Sequence, residues 1–228
     1  MMARRSIKRG PQVVGVIASR ADLDHAPRMR RPPDLFELRL DRLAGMADEV
    51  EKVLPRLRTP LIIKARDPRE GGANKLSLGQ RRDLLGRFLN HAVYIDVELR
   101  SARALQALLA NAKTKKVRQI ISFHDFKSTP SARILAAKAR EAKSQDADIF
   151  KVATRTDTPT ELGRLLEFIT KNHVDVRLAV MGIGRLGAIS RVLLARAGSV
   201  LIYASVGAVT DVEGQLSLEQ LRTLGFGP

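Results

Sequence analysis

Short apolar, β-branched runs alternate with amphipathic stretches along nearly the whole chain, and this rhythm leaves few folds open. Eight runs are read as strands: 13–18, 35–40, 61–66, 92–97, 118–123, 148–153, 176–180 and 200–204. Between them, 47–57, 78–89, 102–110, 131–143, 161–171 and 186–197 carry apolar residues at three- and four-residue spacing, the signature of helices packed on one face. A last helix is expected over 218–224. The first crossover, 20–34, contains Pro27, Pro32 and Pro33 and predicts a short or poor helix. Thr129-Pro130 and Thr158-Pro159 read as helix starts, with Thr at the cap and Pro at the first position. Eight strand–helix units point to a parallel sheet closed on itself, an α/β (β/α)8 TIM barrel. At 228 residues the chain is short for that fold but suits one domain, expected over 11–228.

The fold-level rival is an open doubly wound sheet, which needs a glycine-rich turn after its first strand. Val16-Ile17-Ala18-Ser19-Arg20 offers none. Gly182-Ile183-Gly184-Arg185-Leu186-Gly187 matches GxGxxG superficially but follows the seventh strand, so it reads as a tight strand-to-helix turn, one that could also bind an anion.

Composition narrows the function. With no cysteine there is no disulfide, thiolate metal site or cysteine nucleophile, which fits a reducing compartment, and a cytoplasmic location is expected. No apolar run reaches membrane-spanning length, so no membrane partner is expected. Met1 to Gly10 is basic, lacks the following apolar stretch of a signal peptide, and is read as a flexible tail. The net charge of +16 raises the question of nucleic acid. The basic residues are scattered, many beside Asp or Glu, and two Tyr with no Trp leave little to stack on bases. No nucleic-acid partner is therefore expected, although a positive field can help capture a small anion.

In a TIM barrel the chemistry sits at the C-terminal strand ends. Alternation along strand 2 sends Phe36, Leu38 and Leu40 outward, and Glu37, Arg39 and Asp41 into the barrel. Charges there must be paired or used. Strand 3 brings Lys64 and Arg66 to the inward face, with Glu70 on the following glycine loop; strand 4 brings Asp96 and Glu98 to one face. His124 ends strand 5. Lys151 lies in an apolar strand on the face of Ile149 and Ala153. A lysine so placed is either salt-bridged or outward-facing, or it is a desolvated amine nucleophile whose pKa is lowered by burial and by cations such as Arg66. Arg191 is a candidate fork for a carboxylate, and Gln215 lies on the last loop.

Taken together, Glu37-Leu38-Arg39-Leu40-Asp41, Arg66 with Glu70-Gly71-Gly72, Asp96-Val97-Glu98, His124-Asp125 with Thr129-Pro130, Lys151-Val152-Ala153, Met181-Gly182, Ile189-Ser190-Arg191 and Gly214-Gln215 resemble the type I 3-dehydroquinate dehydratases of the shikimate pathway. The resemblance spans almost the whole chain in order. It implies a hydro-lyase that converts 3-dehydroquinate to 3-dehydroshikimate through a Schiff base on Lys151. His124 would remove the C2 proton and protonate the departing C1 hydroxyl, with Glu70 orienting it. Arg191 and Gln215 would hold the substrate carboxylate, and Glu37, Arg39 and Arg66 would surround the ring hydroxyls. Ser19 matches a serine at the end of strand 1. No metal or organic cofactor is implied, and a homodimer is the family expectation. The chain departs from the pattern in its last loop, where Asp211 and Glu213 replace a serine and a proline with Thr210 as a neighbouring hydroxyl, and at Lys64, where a small hydroxyl residue is common. Alternatives are another Schiff-base barrel lyase or aldolase, a relative or scaffold that binds a different acid, and a basic nucleic-acid binder.

Overall fold

The computed structural model describes residues 10–171, 173–207 and 212–227. The basic tail read at 1–10 lies outside them except for Gly10, as do Thr210 and Asp211.

The strands are β1 (Gln12–Ile17), β2 (Leu35–Arg39), β3 (Leu61–Lys64), β4 (Ala92–Glu98), β5 (Arg118–Asp125), β6 (Ile149–Arg155), β7 (Arg177–Ile183), β8 (Leu201–Ser205) and β9 (Leu216–Ser217). The helices are α1 (Arg20–His25), α2 (Ala47–Val53), α3 (Leu78–Phe88), α4 (Leu99–Ala102), α5 (Gln106–Thr114), α6 (Ala132–Ser144), α7 (Pro159–Thr170), α8 (Gly187–Arg196) and α9 (Leu218–Thr223). All strand pairs are parallel, in the order β7-β6-β5-β4-β3-β2-β1-β8-β9. β7 and β8 form no ladder, but the ring is drawn shut there: Val200 N–H donates to Leu178 O at 2.8 Å, and Val180 N–H to Ser199 Oγ at 2.9 Å. The eight expected strands are thus present, and the two-residue β9 is an addition that ties the last loop to β8.

Two apolar layers follow from the period of the strands. Phe36, Leu38, Ile63, Val97, Ile121, Phe150 and Val152 point outward into the shell of helices. Leu35, Ile62, Ile120, Ile149, Leu201 and the Tyr94 ring fill the barrel axis. The interior is therefore closed below by hydrocarbon and aromatic packing, and the polar residues are confined to its upper part.

Helix boundaries depart from the sequence reading in several places, beginning with 47–57, which is α-helical to Val53 and ends in a 3-10 turn over Leu54–Arg56. The stretch read as one helix over 102–110 is split into α4 and α5. Thr158-Pro159 does start α7, with a full capping box to Glu161. Thr129-Pro130 does not start α6; Ser131 is the cap. The Thr129 hydroxyl is instead buried against Thr154 and the Arg155 carbonyl, so it ties the β5 loop to β6.

Candidate active site

A cavity with about 470 Å³ of open space lies at the C-terminal ends of the strands, where Glu37, Arg39, Arg66, His124, Lys151, Arg191 and Gln215 all line it. These seven come from six strand–loop units, and all are among the residues expected from strand position or from the family resemblance. Inward alternation delivers Glu37 and Arg39 from β2, while Phe36 and Leu38 hold the strand to the helices.

Lys151 is buried, 2% exposed. Its Nζ donates to Glu37 Oε2 at 2.9 Å and to Asp96 Oδ2 at 2.8 Å, and lies 4.0 Å from the centre of the Tyr203 ring. Salt-bridged and desolvated lysine, separated as alternatives in the sequence, thus coexist. Burial lowers its pKa below that of an ordinary lysine; Asp96 and Glu37 pull it back, and Lys64 and Arg66 lower it further. Asp96 is held below the usual carboxylate range by Lys151 and Lys64, against the effect of its own burial.

His124 stands on the strand beside Lys151, with Ser122 in register with Lys151 and His124 with Ala153. The two residues are therefore one strand apart and two residues out of step, about 8 Å between Cα atoms. His124 Nδ1 is 2.9 Å from Glu70 Oε2, and the same oxygen accepts the His124 backbone N–H at 3.0 Å. With Glu70 ionised, Nδ1 carries the proton and Nε2 is the free lone pair. Nε2 is buried with no hydrogen-bond partner among the described residues. Burial and then the cations Arg66, Lys64, Lys151 and Arg39 push the imidazole pKa well below its ordinary value, so the ring is neutral and can act as a base. Burial and the charge of Glu98 raise the Glu70 carboxyl to about 7.

The glycines after Glu70 serve close packing. A side chain on Gly72 would lie 2.1 Å from the Arg66 carbonyl oxygen, and Gly71 has φ +81°. The turn can thus fold back on β3 and set Glu70 beneath His124.

Arg191 is 3% exposed, and no carboxylate pairs with it among the described residues. Its Nε donates to Gly214 O at 3.1 Å and its Nη1 lies 3.4 Å from Met181 Sδ. Burial alone lowers its pKa to about 10. Gly214 must be glycine here, since a side chain would meet the Gly187 Cα at 2.6 Å and the Gly184 carbonyl oxygen at 2.7 Å. The GxGxxG-like turn therefore seats the last loop: its glycines accept a backbone against them, and Gly184 N–H donates to Glu213 O at 3.0 Å. Glu213 itself is turned away from the cavity, its carboxylate 2.9 Å from Arg155 Nη1.

Around this frame a family model described as type I 3-dehydroquinase matches residues 14–225. The chain belongs to the type I 3-dehydroquinase family. It is 32% identical over 194 residues to the 3-dehydroquinate dehydratase of Methanococcus vannielii, covering 84% of this chain and 86% of that one. With the 3-dehydroquinate dehydratase of Shouchella clausii it shares 30% identity over 207 residues, 85% and 80% of the two chains. Among solved structures it superposes on the Geobacillus kaustophilus 3-dehydroquinate dehydratase with a TM-score of 0.82 at 25% identity, covering 95% of this chain and 90% of that one. The type I enzyme of Clostridium difficile, carrying covalently modified comenic acid, gives 0.83 at 25% identity, with 94% and 91% covered.

Of the residues expected at a 3-dehydroquinase site, Glu70 reaches the cavity only through His124, and Ser19 is placed elsewhere. It is exposed and caps α1; its Oγ donates to Asp22 Oδ2 at 2.8 Å and accepts the Asp22 N–H at 3.2 Å. That short helix forms because Ser19 is extended and its hydroxyl is taken by its own turn, so the β1 corner offers Val16 to the cavity instead. Asp96, Lys64 and Tyr203 were not assigned roles from the sequence. A carboxylate inside the apolar strand Tyr94-Ile95-Asp96-Val97 was a signal for the first; Tyr203 looks like any core aromatic until the barrel closes over it.

Proposed function

We propose that this protein dehydrates 3-dehydroquinate to 3-dehydroshikimate through an imine on Lys151. The observation that carries the reading is one cavity lined by a buried amine, an imidazole whose Nε2 has no hydrogen-bond partner among the described residues and a guanidinium with no carboxylate paired to it among them. Arg191 and Gln215 hold the substrate carboxylate, which neutralises the buried guanidinium. Glu37, Arg39 and Arg66 meet the ring hydroxyls. Lys151 gives up a proton toward its carboxylate partners, attacks the C3 carbonyl, and loses water to form the iminium. Glu37 and Asp96 then face a cation at the place where they faced the ammonium, so the intermediate is stabilised without rearrangement. His124 Nε2 removes the C2 proton, and the electron pair moves into the iminium to give an enamine. The pair returns to expel the C1 hydroxyl, protonated by the same imidazole, and water hydrolyses the product imine. Glu70 keeps the Nδ1 proton in place and compensates the transient imidazolium.

Incubation with 3-dehydroquinate should raise the absorbance of the conjugated enone. Borohydride should trap an adduct whose mass and position identify ligand and residue together. No absorbance at high enzyme concentration would end this reading and leave an aldolase-type lysine enzyme ahead. A homodimer is the assembly suggested by the family resemblance, and light scattering tests it. The lack of cysteine supports a reducing, cytoplasmic setting.

A further inference from the structure

A second lysine lies deeper in the same barrel. Lys64 is fully buried on β3, and its Nζ is 2.6 Å from Asp96 Oδ1, 3.0 Å from Ser122 Oγ and 3.1 Å from Glu98 Oε1. Asp96 is thus divided between two ammonium groups, Oδ1 to Lys64 and Ser122, Oδ2 to Lys151. We infer that Lys64 is a positioning residue for the imine-forming amine: a fixed cation that anchors Asp96 and limits how strongly that carboxylate can hold a proton on Lys151.

The two amines differ in what surrounds them. Lys64 faces Asp96 and Glu98 from β4, Ser122 from β5, Glu37 from β2 and Arg66 beyond the end of its own strand. Against its burial, the acids raise its pKa, so it stays charged. Lys151 faces Glu37 from β2, Asp96 from β4, the Tyr203 ring from β8, and the cations Lys64 and Arg66. Its pKa is lowered, so of the two it is the one that releases its proton. Glu98 is held on the Lys64 side, its Oε2 accepting from Arg81 Nη1 at 3.0 Å and its Oε1 3.1 Å from Lys64 Nζ. Two ammonium groups bridged by one carboxylate are within about 7 Å, where like charges in a protein interior displace a pKa by about one to two units.

The inference rests on Lys151 being the imine-forming amine, and its test needs no substrate. Competitive acetylation with trace acetic anhydride across a pH series, read by mass spectrometry on the peptide containing Lys151, reports the midpoint at which that amine becomes free. Lys64→Met should move this midpoint up by about one unit, a loss of about tenfold in free amine below it. Lys64→Arg should keep it near the wild-type value. Should Lys64→Met not fold, Lys64→Met combined with Glu98→Gln removes a carboxylate with the cation and should still shift the midpoint upward, by less than the single variant, since the nearer cation outweighs the more distant acid. An unchanged midpoint in a folded variant lacking the cation, or an equal shift in Lys64→Arg, would overturn the role. Turnover of 3-dehydroquinate without the shift sinks only this inference; the shift without turnover sinks only the proposed reaction.

Discussion

The two sides of the barrel mouth handle charge in opposite ways. On the β2–β6 side, Arg39 is forked onto Asp41 at 2.9 and 2.8 Å, Lys64 onto Asp96 and Glu98, and Lys151 onto Glu37 and Asp96, and only Arg66 among these cations has no carboxylate within ion-pair distance among the described residues. On the β7–β8 side, Arg191 is equally buried but, among the described residues, meets only a carbonyl and a thioether. A paired network fixes its members before any ligand arrives, whereas a buried lone guanidinium is costly until an anion reaches it. The difference assigns the chemistry to the first side and the capture of the carboxylate to the second. It also explains why Glu213 is harmless to the proposed anion site: its charge is spent on Arg155 at the surface.

Removing the amine should break the paired side most severely. Lys151→Ala is expected to lose measurable turnover and to show no adduct at that position after borohydride reduction with substrate. Next in size is His124→Ala. Its adduct should still form while kcat falls about 10²- to 10⁴-fold, because only the proton transfers are lost. Single-turnover trapping separates the two variants; an absent adduct in His124→Ala would show that the ring is needed for imine formation as well. On the other side, Arg191→Ala should act chiefly through KM, with kcat/KM down about 10- to 100-fold, the value of one charged hydrogen-bonding contact. An equal loss in kcat would mean that the guanidinium acts on the reaction rather than on capture.

The paired side also carries a pH signature. Glu70 must be ionised to hold the Nδ1 proton, and its carboxyl titrates at about 7. Activity should therefore fall as pH drops through about 7, by up to about tenfold per unit. Stability runs the other way. The folded-state pKa lies above the ordinary 4.5, so the contribution of this group to stability is fully present below 4.5 and is lost as pH rises through about 7. Glu70→Gln should flatten both trends, in the pH–rate profile and in melting temperature against pH.

The sequence carried the paired side well and the capture side less well, for a physical reason. Strand alternation decides inward from outward, so Glu37 and Arg39 follow from period, His124 follows from its place at a strand end, and for Lys151 the pattern leaves an outward-facing reading open. Who pairs with whom depends on barrel register: Lys64 with Asp96, and Ser122 with Lys151, are neighbours only once the strands are aligned. Loops have no such period. That is why Thr129-Pro130 reads as a helix start although its hydroxyl serves β6, and why Ser19 reads as a substrate contact although its hydroxyl serves α1.

Ser19 therefore gives the smallest expected effect and the sharpest check on where the site ends. Its hydroxyl accepts the Asp22 N–H and donates to the Asp22 carboxylate, whose other contact in this turn is the Ala18 N–H at 3.1 Å. A cap of this kind contributes about 1 kcal/mol, and α1 has only six residues to share it. Ser19→Ala should lower the melting temperature by a few degrees, about what a loss of that size gives in a chain of this length. Turnover should be unaffected, with kcat/KM within about twofold of wild type, as for other substitutions remote from a site. A loss as large as that of Arg191→Ala would mean that the β1 corner closes onto bound substrate and carries the hydroxyl with it. The carboxylate would then be captured between β1 and β8 as well as by β7, and the division of the mouth into a paired and an open side would have to be redrawn around the ligand.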